Sequence, residues 1–219
     1  MSTDSTDHDR SRAPNGGESA LQSLLQEIRR CAVCAALLPL GPRPIIQAGE
    51  TASILVIGQA PGSRVHETGI PWDDQSGERL RDWMAIDSAT FYDPGQVALM
   101  PMGFCYPGKD PGGGDRPPRP ECAPLWHRRV WSQLIAVRLT LLVGHYAQKA
   151  YVEKPRATSM TETVRSFHSF LPAFVPLPHP SWRSTGWMRR NPWFESELLP
   201  VLRQQVRAAL NGLPASERS

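Results

Sequence analysis

Four short apolar runs, each stopped by glycine or proline, constrain this chain more than any other feature. They are "ILVIG" from Ile54, "VALMPM" from Val97, "LTLLVG" from Leu139 and "FVPLPHP" from Phe174. A continuous apolar run without polar alternation suits a strand covered on both faces. Helix-like stretches separate the runs. Ser19 and Gln22 have capping-box spacing, and Leu21, Leu24, Leu25 and Ile28 recur at helical intervals, so a helix is expected to end near Cys31. Ser76 is expected to cap a helix carrying Leu80, Trp83 and Met84. Further helices are expected from about Pro124 to Ile135, through Ala147 and Tyr151, and from near Pro192 through Val206. Strands alternating with helices define the α/β class: a single-domain, three-layer α/β/α sandwich around a mostly parallel four-stranded sheet, with Ile54–Ile57 in a central strand.

Length and charge narrow the function classes. The chain has 219 residues, 40% of them hydrophobic, and a net charge of +3, which suits one domain with its own core and does not by itself announce a nucleic-acid binder. Residues 1–18 are polar and read as a disordered tail rather than a signal peptide. Residues 19–212 read as the folded domain, and 213–219 as a loose C-terminal tail. No run reaches the roughly 18 apolar residues of a membrane span, so transport and receptor roles are set aside and a cytoplasmic location is expected.

Ligands of open parallel sheets bind beyond the carboxyl ends of the strands. "GQAPG" (Gly58–Gly62), Cys105, Gly144-His145 and His179-Pro180-Ser181 each follow an expected strand, so one cleft can collect them. "GQAPGS" has neither the spacing nor the lysine of a phosphate-binding P-loop, and the dinucleotide fingerprint is missing. What remains is a tight turn exposing backbone N–H groups. Downstream, Asp73 and Asp74 follow Trp72 in a loop bounded by glycine and proline; solvated or capping carboxylates are the plain reading, and catalytic ones the sharper. His179 is held between prolines beside Ser181 and Arg183. From there to Arg207 five arginines alternate with Trp182, Trp187 and Trp193, a mixture suited to phosphate pairing and base stacking.

Cys31 and Cys34 form a C-x-x-C pair, and Cys105 and Cys122 bracket a 16-residue loop rich in proline and glycine. Four thiolates suit a zinc ion or an iron–sulfur cluster; four unrelated cysteines are the bland alternative.

Taken together, these motifs resemble those of the uracil-DNA glycosylase superfamily, particularly its bacterial iron–sulfur (family 4-like) branch, over roughly Leu24 to Arg207. "GQAPG" resembles the first active-site motif, "HPS" (His179–Ser181) the second, and "GIPWDDQSGERL" the segment that places Trp72 where the family has a stacking phenylalanine. The four cysteines are similar to that branch's cluster pattern.

The resemblance implies a DNA-repair enzyme that flips out uracil, or a related deaminated or modified base, and hydrolyses its N-glycosidic bond. It implies catalytic roles for Asp74 (sugar and water) and His179 (base oxygen). Gly58, Gln59, Ala60, Gly62 and Trp72 would bind the base and its nucleotide, Ser181 and Arg183 the DNA. A [4Fe–4S] cluster on Cys31, Cys34, Cys105 and Cys122 and a DNA-associated place in a bacterial cytoplasm are implied too. Three departures stand beside it. Ala60 replaces the catalytic aspartate of the classical enzymes, Pro101 falls near the uracil-reading asparagine of the iron–sulfur enzymes, and "HPSW" replaces H-P-S-P. Asp74 is the substitute carboxylate by its place before Ser76-Gly77, with Asp73 the alternative.

Overall fold

The computed structural model describes residues 18–152 and 159–212. The expected terminal tails therefore lie outside the described residues, apart from Glu18. In chain order the elements are α1 (Ala20–Arg29), β1 (Ile54–Ile57), α2 (Ser63–Thr68), α3 (Gln75–Met84), α4 (Ser88–Tyr92), β2 (Val97–Leu99) and α5 (Cys122–Trp131). They continue with β3 (Leu139–Val143), α6 (His145–Tyr151), α7 (Met160–Arg165), β4 (Phe174–Leu177), α8 (Ser184–Arg190) and α9 (Leu199–Leu210). None of the described helices is long and apolar enough to cross a membrane.

The sheet is parallel throughout, in the order β2-β1-β3-β4, so β1 is central as its sequence predicts. Ile54 pairs with Val97 on one side and Leu139 on the other. Alternate side chains of these strands enter two separate cores. Ile54, Val56, Leu99 and Leu141 pack with Leu80 and Trp83 of α3 and Leu202 and Val206 of α9. Leu55, Ile57, Ala98 and Leu142 pack with Leu24 and Ile28 of α1 and Trp126 and Val130 of α5. With both faces covered, no strand position can be polar without a partner, which is why the runs do not alternate. α1 is held as expected: Ser19 and Gln22 complete a reciprocal capping box, and Leu21, Leu24, Leu25 and Ile28 face the core.

The differences lie at helix ends. α5 starts at Cys122 and stops at Trp131, leaving Ile135 88% exposed beyond it. The last helix is preceded by a π-turn over Phe194–Leu198. Pro200 lacks the N–H that would bond to the Ser196 carbonyl, so an α-turn cannot close there and the wider turn takes its place. α3 is capped by Asp74, whose Oδ1 accepts the Gly77 N–H at 2.8 Å, rather than by Ser76, which lies inside the helix. The short helices α2, α4, α7 and α8 were not anticipated.

Candidate active site

Beyond the carboxyl end of β1 the chain turns through Gly58–Gly62 and runs directly into α2. The Gly58 and Gln59 carbonyls accept the Met102 and Gly103 amides at 2.9 and 3.0 Å, which pins this turn to the segment following β2. The Gln59 and Ala60 amides donate to no backbone acceptor among the described residues. Gly58 is required sterically: a Cβ there would lie 2.6 Å from Cζ2 of Trp72.

Trp72 adopts φ +57°, a left-handed conformation that a bulky side chain rarely takes. Its carbonyl accepts the Tyr92 hydroxyl at 3.2 Å, and Gly77 leaves room for that same carbonyl, since a Cβ on Gly77 would stand 1.8 Å from it. The first turn of α3 thus holds Trp72 in place, with Asp74 between the two as the helix cap. Such local strain, of order 1–3 kcal/mol, persists only where surrounding contacts over-determine the geometry.

From the far edge of the sheet, His179 follows β4 between Pro178 and Pro180. Its ring stacks on Trp72 with centroids 5.8 Å apart and planes 28° from parallel. Burial pushes the imidazole below its ordinary range, and the Asp74 carboxylate pulls in the opposite direction. The protonated ring is therefore disfavoured, and a neutral imidazole has one N–H to donate.

Gly58, Gln59, Ala60, Gly62, Trp72, Asp74 and His179 line one cleft, together with Pro71 and Pro101. Asp73 is not among its walls. It faces a separate polar groove, and its carbonyl accepts Arg64 Nε at 2.7 Å. Ser181 and Arg183 also stand outside the cleft lining. The Arg183 guanidinium lies over the Trp182 ring at 5.5 Å and against Gly114 of the loop between Cys105 and Cys122. Trp182 is 72% exposed beside it.

Sequence reasoning missed Asp115. That loop folds back so that Oδ2 of Asp115 comes within 3.5 Å of where a Gly62 Cβ would be. Its carboxyl is pushed up by burial and by the Asp74 charge, against the pull of Lys109, Arg183 and Tyr106. Pro101 was singled out only as a departure; His127 Nε2 holds its carbonyl at 3.0 Å. Nothing local in the sequence points to either contact, because both depend on where a long loop and α5 return.

The four cysteines line a second, apolar cavity with Val33, Leu38, Phe104 and Trp126. Burial pushes the Cys105 thiol up to about 11 and that of Cys122 up to about 12, and the neighbouring cysteines add to both. Cys122 Sγ accepts the Phe104 amide at 3.3 Å. Among the described residues no three His, Cys, Asp or Glu side chains converge as the ligands of a single metal ion do.

A parallel sheet with a cleft at its carboxyl edge, fed by the turns after β1 and β4 and by the cap of α3, defines an α/β protein whose site lies where ligands of open parallel sheets bind. The family model described as the uracil DNA glycosylase superfamily matches residues 46–203, and the chain belongs to that superfamily. The matched span includes every wall of the cleft except Ile45, as well as Cys105 and Cys122; Cys31 and Cys34 precede it.

Proposed function

We propose that this chain is a DNA-repair glycosylase that flips uracil out of DNA and hydrolyses its N-glycosidic bond, leaving free uracil and an abasic site. The observation that carries the reading is the meeting of the Gly58–Gly62 backbone, the Trp72–His179 ring pair and Asp74 in one cleft. The C1′–N1 bond breaks with its electron pair leaving on the base, the oxygen of a water molecule bonds to C1′, and the proton that water gives up is balanced by the one the uracil anion takes from solvent. His179 donates its N–H to the developing charge on a uracil carbonyl oxygen. Oδ1 of Asp74 is engaged by Gly77, so Oδ2 is left to orient the water and stabilise the cationic sugar. The Gln59 and Ala60 amides supply donors to the base, Trp72 a stacking face, and Ser181 and Arg183 phosphate contacts.

The test is release of labelled uracil from single- and double-stranded oligonucleotides, with hypoxanthine and modified pyrimidines as further arms. No abasic product on any strand overturns the enzymatic reading. A second reading, a protein of the same fold that binds uracil-DNA with little excision, is favoured by the places of Ala60 and Pro101 in the cleft wall, where neither offers a side-chain donor or acceptor. Tight gel-shift binding without product would support it.

The Cys31, Cys34, Cys105 and Cys122 thiolates would hold a [4Fe–4S] cluster. The fit rests on all four thiols lining one apolar cavity. Bound there, the cluster would offset part of the charge of the four thiolates and tie the end of α1 to both ends of the Cys105–Cys122 loop. Four irons and four sulfides per chain after anaerobic purification are expected; zinc, or no metal, overturns the assignment. Residues 19–212 form the working unit in this reading, acting on DNA in the cytoplasm of a bacterium.

A further inference from the structure

Asp74 and His179 come from elements far apart in sequence, and their usefulness as a pair depends on how those elements are held. Asp74 caps α3; His179 stands on the loop between β4 and α8. Besides the Trp72–His179 ring contact, a direct polar tie between the two is Arg79 Nη1, which donates to the Ser181 carbonyl at 2.6 Å. Arg79 lies five residues into the segment that Asp74 starts. Helical side chains lean toward the amino end of their helix, so its half-buried guanidinium is carried back toward the turn that Asp74 caps.

The receiving carbonyl is itself a junction. Ser181 C=O also accepts the Ser184 amide at 3.0 Å, and Ser184 Oγ donates to the His179 carbonyl. The path from α3 to the backbone of His179 therefore runs Arg79, Ser181, Ser184, His179, with both lone pairs of the Ser181 carbonyl engaged.

We propose that Arg79 is a positioning residue, which holds the Asp74 end of α3 and the His179 loop in register so that carboxylate and imidazole face one substrate. This rests on the catalytic reading of Asp74 and His179 given above. Among the charged groups near the His179 ring, Asp74 is the one that acts on its protonation, so the influence of Asp74 on that ring measures the register directly.

The experiment has two arms. In single-turnover uracil release, Arg79→Gln lowers the rate roughly tenfold to a hundredfold while DNA affinity stays within about twofold, and Arg79→Lys recovers part of the loss. In the free protein, the His179 titration is followed by imidazole NMR, assigned with His179→Gln. Asp74→Asn, which keeps the helix cap, moves that titration downward in the wild-type background and by a smaller amount in Arg79→Gln. An equal displacement in both backgrounds overturns the proposal. So does an Arg79→Gln effect confined to DNA affinity, which would make Arg79 a phosphate contact. Should Arg79→Gln fail to fold by circular dichroism, Arg79→Lys is read against the same criteria. The NMR arm uses no substrate, so an inert wild-type protein would sink the glycosylase reading while this coupling is still decided.

Discussion

In the proposed mechanism Asp74 serves two purposes with one side chain, since one oxygen caps α3 and the other is assigned to the chemistry. Asn can make the same cap, so Asp74→Asn separates the two. The expected outcome is a fall in uracil release of at least about 100-fold with unchanged DNA binding, read by single-turnover kinetics beside gel shift. An unchanged rate moves the role elsewhere. His127 offers a test of stability. Burial holds its imidazole down to about 4, against an ordinary 6.5, while Nε2 keeps the Pro101 carbonyl and Nδ1 lies 2.6 Å from the Tyr151 hydroxyl. As pH falls through 6.5 the unfolded chain takes up a proton that the folded chain refuses until about 4. Stability therefore drops across that window by roughly 3 kcal/mol, and His127→Gln should flatten this part of the urea-midpoint profile against pH. At this scale the sequence was legible where short motifs converge, since Gly58–Gly62, Trp72, Asp74 and His179 do line one cleft. Arg79 and Asp115 were not, because each acquires meaning only from a partner about 50 to 100 residues away in the chain.

The start of α3 concentrates the local demands of the site, since its cap, its first turn and the strained Trp72 are fitted against one another. Gly77→Ala would drive a Cβ into the Trp72 carbonyl. Unfolding free energy should fall by about 2–3 kcal/mol, with Trp72 fluorescence altered and uracil release reduced; a variant of wild-type stability would show that the turn can shift. The strands were readable because burial on both faces leaves an unbroken apolar run. α2, α4, α7 and α8 span five to seven residues each, too short to display a helical period. The cap was misplaced at Ser76 because both Ser and Asp favour that position, and choosing between them required knowing that Trp72 turns left-handed just before.

Across the whole molecule, the parallel sheet sends the turns after β1 and β4 to one edge, and the exposed Arg183 and Trp182 lie beside that edge. Arg183→Ala should weaken DNA binding uniformly across sequences and reduce the slope of log affinity against log salt by about one. A loss that depends on the base instead of the salt would give Arg183 a reading role rather than an electrostatic one. The gathering of the four cysteines was anticipated from their spacing, whereas the contact of their loop with Gly62 was not, since a stretch rich in proline and glycine carries no periodic signal of where it goes.

Eight walls of the cleft, Ile45, Gly58, Ala60, Pro61, Gly62, Val65, Pro71 and Pro101, contribute no side-chain donor or acceptor. In the proposed reaction a base entering it would meet main-chain groups and ring surfaces over most of the wall, with Gln59, Asp74 and His179 as its polar side chains. Point substitution cannot delete a peptide N–H except by proline. Any selectivity that those main-chain groups set would therefore survive most single substitutions in these walls and change more readily through insertions, deletions or rewired loops.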